Sequence, residues 1–249
     1  MTNILLSGAF GRMGRVIAAL AAERDDCRIA AGFDVVGGES AFPVYNNFVD
    51  LTEKTDVVID FSHPASLPGL LSYCKAKKLP LIAATTGYSQ EEIDEIKSTA
   101  KELPIFFTGN MSLGINLLQD LAKRAARVLG TQFDIEIVER HHNLKKDAPS
   151  GTALMLADSV NSVFDNEKQY IYDRHGILKQ RETHEIGIHA VRGGTIVGDH
   201  DVVFAGHDEV ITLSHSAQSK EVFAVGAINA AIFMKDKPNG LYNMSDLLK

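Results

Sequence analysis

The sequence predicts an α/β fold in two parts: a parallel sheet layered with helices, then a region dominated by β-strands. Three observations lead there. Short apolar runs alternate with helical stretches from Asn3 to Gly109. A glycine-rich turn joins the first run to the first helix. After about residue 130 the rhythm changes to runs in which apolar and polar residues alternate.

The elements follow in order. NILLSG, Asn3 to Gly8, is a short apolar run closed by glycine, the pattern of a buried strand. RMGRVIAALAAERDD is a helix, and RIAAGFD and DVVIDFS are the second and third strands. HPASLPGLLSYCKAKK is helical with Pro64 in its first turn, where the missing N–H has no helical partner to lose. PLIAATTG is the fourth strand. SQEEIDEIKSTAKE is a helix with Ser89 as N-cap and acidic residues at the positive end of the helix dipole. PIFFTG is the fifth strand. Such alternation with short turns specifies parallel strands and right-handed crossovers.

Further on, FDIEIVERH alternates as a strand with one buried face does, and GTALMLADSVNSVF is helical. Glu185 to Ala217 reads as successive hairpins, EIGIHAVR, TIVGDHDVVFAG and DEVITLSHSA. Gly193-Gly194 and Gly206-His207-Asp208 punctuate them, so a mostly antiparallel sheet is expected. No helix in that segment covers its apolar face, which is therefore expected to be buried by self-association. KEVFAVGAINAAIFMKDK is a long helix that returns to the first part.

A chain of 249 residues buries a substantial core, and 45% hydrophobic with 23% charged residues is ordinary for a globular protein. The formal net charge of -7 argues against nucleic-acid binding. Cys27 and Cys74 form no CxxC or framework spacing, so neither a disulfide nor a zinc site is expected, and both thiols should be buried. No apolar run reaches the ~18 residues of a membrane span. No basic and then apolar leader opens the chain, so the cytoplasm is the expected compartment.

SGAFGRMGR places Gly8, Gly11 and Gly14 between the first strand and the first helix. G-x-x-G-x-x-G is a variant of the dinucleotide fingerprint, and its strand-loop-helix context is present. Gly8 permits a tight turn, Gly11 admits a pyrophosphate to backbone N–H groups, and Gly14 is expected to let the helix pack close to the sheet. Asp34 ends the second strand, where a carboxylate accepts from ribose hydroxyls and repels a 2′-phosphate. The next residue, Val35, is not basic, which favours NADH, whereas Arg12 and Arg15 in the loop keep NADPH open. The turns Ala83 to Gly87 and Phe107 to Ser112 close the fourth and fifth strands. Ligands of open parallel sheets bind outside such ends, so these turns are expected to border the nicotinamide.

ERHHNLKKDAPSGTA, Glu139 to Ala153, gathers proton carriers and cations. In an extended chain His141 and His142 diverge, so separate tasks are expected rather than chelation of one metal. Histidine exchanges protons near neutral pH. Lys145 and Lys146 offer cationic donors to a carboxylate, and PSGT places backbone N–H groups at a helix N-terminus that attracts anions. A metal site from His141, His142 and Asp147 lacks the helical i, i+4 pair and is not expected. His200, in GDHD, is expected to be a solvated hairpin histidine.

With GAFGRMGR, ATTG and GNMSLGIN, the ERHHNLKKDAPSGTA segment resembles the 4-hydroxy-tetrahydrodipicolinate reductase family, formerly dihydrodipicolinate reductase. VRGGTIVGDH and FAVGAINAAIFM extend the resemblance over nearly the whole chain. The resemblance implies a Rossmann-like nucleotide-binding domain, residues 1–112 and 221–249. It implies a second α+β domain, 113–220, whose open mixed sheet binds substrate and builds a homotetramer. It also implies hydride transfer from NADH or NADPH to C4 of a cyclic dicarboxylate imine.

By the resemblance His141 and Lys145 are catalytic, and His142, Gly151 and Thr152 bind substrate. Gly8, Ala9, Phe10, Gly11, Arg12, Met13, Asp34, Ala84, Thr85, Thr86, Thr108, Gly109, Asn110 and Met111 contact the cofactor. The chain departs from the pattern at Asn143 and Leu144, more basic in some members, at Val35, basic in some, and at Met111, often aromatic. The rival readings are another two-domain reductase of a small acidic substrate and a nucleotide sensor without catalysis. The first predicts a different substrate loop, and the second has no use for His141 and Lys145.

Overall fold

The computed structural model describes residues 1–176 and 178–248. The chain divides into two compact units, Met1–Ser112 with Glu221–Lys249, and Leu113–Lys220.

The first unit runs β1 (Thr2–Ser7), α1 (Arg12–Ala22), β2 (Cys27–Phe33), β3 (Val44–Tyr45), β4 (Val57–Asp60), α2 (Leu67–Lys77), β5 (Leu81–Ala83), α3 (Gln90–Thr99) and β6 (Pro104–Phe107). Its strands are all parallel, in the order β6-β5-β4-β1-β2-β3, so the chain reverses direction across the sheet between β1 and β4. Ligands of such sheets bind at this switch point. Leu67, Leu70, Cys74 and Ile96 of α2 and α3 pack against Leu5, Val58, Leu81 and Ile105. Each such fully buried aliphatic side chain contributes roughly 1.5–3 kcal/mol of transfer free energy. Both cysteines are free and buried.

Local signals set the boundaries. Ser89 Oγ accepts from Glu92 N at 3.3 Å while Glu92 Oε2 accepts from Ser89 N at 2.7 Å, a reciprocal cap that starts α3. Pro64 opens a short 3-10 turn, and α2 begins only at Leu67. The fourth strand is shorter than its apolar run, since the chain leaves the sheet after Ala83.

In the second unit, α4 (Leu113–Leu129) precedes β7 (Asp134–His141), α5 (Gly151–Asn161), β8 (Gln169–Ile171), β9 (Glu185–Arg192), β10 (Gly198–Ala205) and β11 (Val210–Ala217). α4 lies outside the elements expected from the sequence, although Ile115, Leu118, Ala122 and Ala126 recur at helical spacing. The chain then returns to the first unit as α6 (Glu221–Met234), β12 (Gly240–Tyr242) and α7 (Met244–Leu247). α6 lies across β1, β4, β5 and β6 beside α1, and β12 pairs in parallel with β6 as an edge strand not foreseen.

The second sheet corrects the hairpin expectation. Its order is β11-β10-β7-β9-β8. β10 and β11 form a hairpin, but β7 inserts between β9 and β10, parallel to β9 and antiparallel to β10. The sheet is mixed, not mostly antiparallel. In the centre, Ile135 and Ile137 of β7 gain apolar neighbours on both sides, Ile186 and Ile188 on β9 and Val202 and Phe204 on β10. The expectation of an uncovered apolar face is also corrected: α4 and α5 cover it. The opposite face mixes Val138 and Val203 with charged residues, among them Glu136, bonded to His189 at 2.7 Å, and Arg140, bonded to Asp201 at 2.7 Å.

Candidate functional site

In the first unit the glycine loop forms the turn its spacing predicts, with one correction at Gly14. Gly8 has φ +80, and a side chain there would strike the Phe61 carbonyl. A Cβ on Gly14 would lie 2.1 Å from the Gly8 carbonyl oxygen, so this glycine lets the helix pack against its own loop rather than against the sheet. Gly11 is the N-cap of α1, no side chain caps the helix, and its first turn holds no acidic residue. That end of the helix dipole is therefore available to an anion. Asp34 makes two contacts that the sequence did not suggest: its Oδ2 accepts from Phe10 N at 2.8 Å and its Oδ1 from Val36 N at 3.0 Å. The carboxylate thus clasps the loop that it borders. Gly8, Phe10, Gly11, Asp34 and Val35 line one cavity of about 330 Å3. The cradle fits a dinucleotide by its missing Cβ atoms, its uncapped helix end and its rim carboxylate.

Ala84, Thr85 and Thr86 follow β5, and Thr108, Gly109, Asn110 and Met111 follow β6, all outside the carboxyl ends of parallel strands. Met111 is buried. Asp60, absent from the sequence-based site, organises the first of these turns. It is 1% exposed and accepts from Ser62 Oγ at 2.6 Å, Thr85 Oγ1 at 2.7 Å and the Tyr88 hydroxyl at 3.2 Å. Burial and the Asp60 carboxylate hold the Tyr88 phenol well above its usual value, so it stays a neutral donor.

In the second unit the histidine-lysine loop leaves the end of β7. The strand alternates strictly, so Ile135, Ile137, Glu139 and His141 share the buried face. His141 ends the strand and is buried, whereas His142 is half-buried. Ser150 caps α5, its Oγ accepting from Ala153 N at 3.1 Å, and Gly151 and Thr152 open the helix. Lys145 is half-buried with Nζ 2.8 Å from Asp147 Oδ2, while Lys146 is exposed. That ion pair holds the Asp147 carboxyl below its ordinary value. Among the described residues no group of three or more His, Cys, Asp or Glu is placed to hold a metal.

Three residues join this loop that the sequence did not single out for it. Glu139, fully buried, lies 2.7 Å from His141 Nδ1 and accepts from Ser150 N at 2.9 Å. Arg192 Nη1 and Nη2 donate to its two oxygens, each at 2.7 Å. Burial raises the Glu139 pKa, but the bonds from Arg192, His141 and Ser150 outweigh it and hold the group below its ordinary value. His200 corrects the expectation of a solvated histidine. It is 4% exposed, its Nε2 lies 3.0 Å from Ser150 Oγ, and its ring stacks edge-on to that of His141 at 5.2 Å. Burial, and next the neighbouring His141, lower its pKa to about 4. The strand register explains its place: His200 is paired with Glu139 across the sheet, on the face under α5.

Residues 2–111 match the model of the family described as dihydrodipicolinate reductase, N-terminus, and residues 114–248 that of its C-terminus. A 4-hydroxy-tetrahydrodipicolinate reductase from Caldanaerobacter subterraneus subsp. tengcongensis is 52% identical over 249 residues, covering 100% of this chain and 99% of the relative. One from Clostridium tetani is 51% identical, covering 100% and 97%. Among solved structures, a dipicolinate-bound dihydrodipicolinate reductase from Paenisporosarcina sp. TG-14 shares the fold, with a TM-score of 0.81 at 24% identity over 98% of this chain and 97% of that one. With both halves matched and half of all residues shared over the full length, the chain belongs to the dihydrodipicolinate reductase family.

Proposed function

We propose that this chain reduces 4-hydroxy-tetrahydrodipicolinate to tetrahydrodipicolinate with NADH or NADPH, on the route to diaminopimelate and lysine. One observation carries the reading. His141, Lys145 and the N-terminus of α5 are gathered by a single loop, in a chain whose two halves both match the family. Substrate and product differ by a ring hydroxyl exchanged for hydrogen. A hydride to C4, a proton and the departure of water therefore balance the reaction.

The reduced nicotinamide supplies the hydride when bound. Gly8 to Met13 receive the pyrophosphate, Asp34 the adenosine ribose, and Ala84 to Thr86 with Thr108 to Met111 the nicotinamide end. His141 delivers the proton, and Lys145 supplies a second donor and a positive charge. His142 and the helix start at Gly151 and Thr152 hold a substrate carboxylate, which the helix dipole favours. The test is oxidation of NADH or NADPH in the presence of enzymatically generated 4-hydroxy-tetrahydrodipicolinate. Substrate-dependent oxidation is expected, and its absence with both cofactors would overturn the reading.

NADH is the favoured cofactor, because Asp34 carries charge where NADPH carries phosphate and Val35 offers no base. Asp34→Ala is expected to weaken NADH binding by roughly 1–3 kcal/mol, the loss of hydrogen bonds to a charged acceptor. NADPH loses less, since only the clasp on Phe10 and Val36 is removed for it. Equal losses in titrations with the two cofactors would show that Asp34 is a clasp alone.

The protein is expected to act in the cytoplasm as a homotetramer joined through the helix-free face of the second sheet. Light scattering at micromolar concentration checks the assembly, and a monomer there contradicts it.

A further inference from the structure

We propose that Glu139 is the positioning residue of the loop: its buried carboxylate fixes His141 with the proton on Nδ1 and leaves Nε2 as the nitrogen that exchanges the catalytic proton. This rests on the reading of His141 as the proton donor.

The geometry is specific. A buried carboxylate is strongly disfavoured unless its oxygens are fully engaged. Glu139 is 0% exposed and has four partners: His141 Nδ1, Ser150 N, and both terminal nitrogens of Arg192. An ionised carboxylate only accepts, so the 2.7 Å contact requires a hydrogen on His141 Nδ1. The neutral ring then carries its lone pair on Nε2, so the proton that His141 delivers is one that Nε2 has first taken up and then releases, while Nδ1–H stays on Glu139. A Cβ on residue 198 would lie 3.0 Å from Nε2, so Gly198 keeps that side of the ring uncrowded. His200, against the same ring, is neutral near neutral pH and adds no charge that competes for the proton.

Glu139 also ties the ring to the rest of the loop. Ser150, which it holds through the backbone N–H, is the N-cap of α5. Arg192, which it holds in a two-pronged pair, also donates to the Asp147 carbonyl at 2.7 Å. Asp147 in turn pairs with Lys145. One carboxylate thus sets the proton donor and anchors both the helix start and the lysine segment. Paired carboxylate and imidazole groups fix the tautomer of a catalytic histidine in this way.

Nitrogen NMR on 15N-histidine-labelled protein reads the tautomer directly, with the His141 signals identified by their loss in His141→Ala. At a pH where the ring is neutral, the proton is expected on Nδ1. A wild-type ring protonated on Nε2 would overturn the proposal, and that measurement needs no folded Glu139 variant. Glu139→Gln keeps the shape but removes the charge, and its amide can face the ring with either end. It is expected to mix the tautomers and to lower kcat about tenfold to a hundredfold, a larger factor than any rise in KM from the loosened helix start and lysine segment. Added to His141→Ala, it should cost little more. A change confined to KM, or full additivity with His141→Ala, would overturn the positioning role. Unchanged kcat in His141→Ala would instead sink the reading of His141, while the tautomer would still test the hold of Glu139.

Discussion

His141→Ala is expected to lower kcat about 100-fold or more, the contribution of a placed proton donor to a step that consumes a proton. Its position argues for a task beyond packing. The ring is buried at the end of β7, held from one side by Glu139, and lies edge-on to a neutral His200. Such restraint costs conformational entropy and is repaid when the ring must meet one atom in one geometry. Cofactor affinity should stay near wild type, since the glycine loop belongs to the other compact unit. Titration with NADH alongside steady-state kinetics separates the two quantities. Near-normal kcat would show that His141 is not the proton donor.

Lys145→Ala is expected to lower kcat by a similar factor of about 100 and also to raise KM. An ammonium that grips a carboxylate acts on the bound substrate and on the transition state alike. In the structure its Nζ is paired with Asp147, whose carboxylate is well exposed. Such a pair adds about 0–1 kcal/mol to stability, so the variant should remain folded and its kinetic loss can be read directly. Lys146 leaves the backbone toward solvent and serves as the control: Lys146→Ala should change either constant far less. His142→Ala should act mainly on KM. Equal effects of Lys145→Ala and Lys146→Ala would mean that the loop contributes only diffuse positive charge.

The first unit was legible because its signals are local. Gly8, Gly11 and Gly14 act within one turn, Ser89 caps the helix that follows it, and each short apolar run is one strand. The second unit was less legible because its order is not local. Nothing within Glu185 to Ala217 says that β7 will insert between β9 and β10, since strand order is settled by distant pairing. The site residues divide in the same way. His141, Lys145, Gly151 and Thr152 lie in one continuous segment. Arg192 and His200 arrive from β9 and β10 through register with His141 and Glu139. Glu139 did leave a signal, since a charged residue two positions before His141 must share its buried face. A buried charge requires a partner, and Arg192 is that partner. α4 carried an equally plain signal in its spaced Ile115, Leu118, Ala122 and Ala126. Asp60 did not, because its three hydroxyl partners come from two separate turns.

The most direct measurement of the central claim follows the hydride itself. The protein is supplied with enzymatically generated 4-hydroxy-tetrahydrodipicolinate and with NADH or NADPH deuterated at the transferable position of the nicotinamide, and the product is examined by NMR and mass spectrometry. The account predicts deuterium at ring C4 of tetrahydrodipicolinate, with the label lost from the cofactor and little product from His141→Ala or Lys145→Ala. Product without deuterium at C4, or labelled product formed at the wild-type rate by both variants, would contradict it.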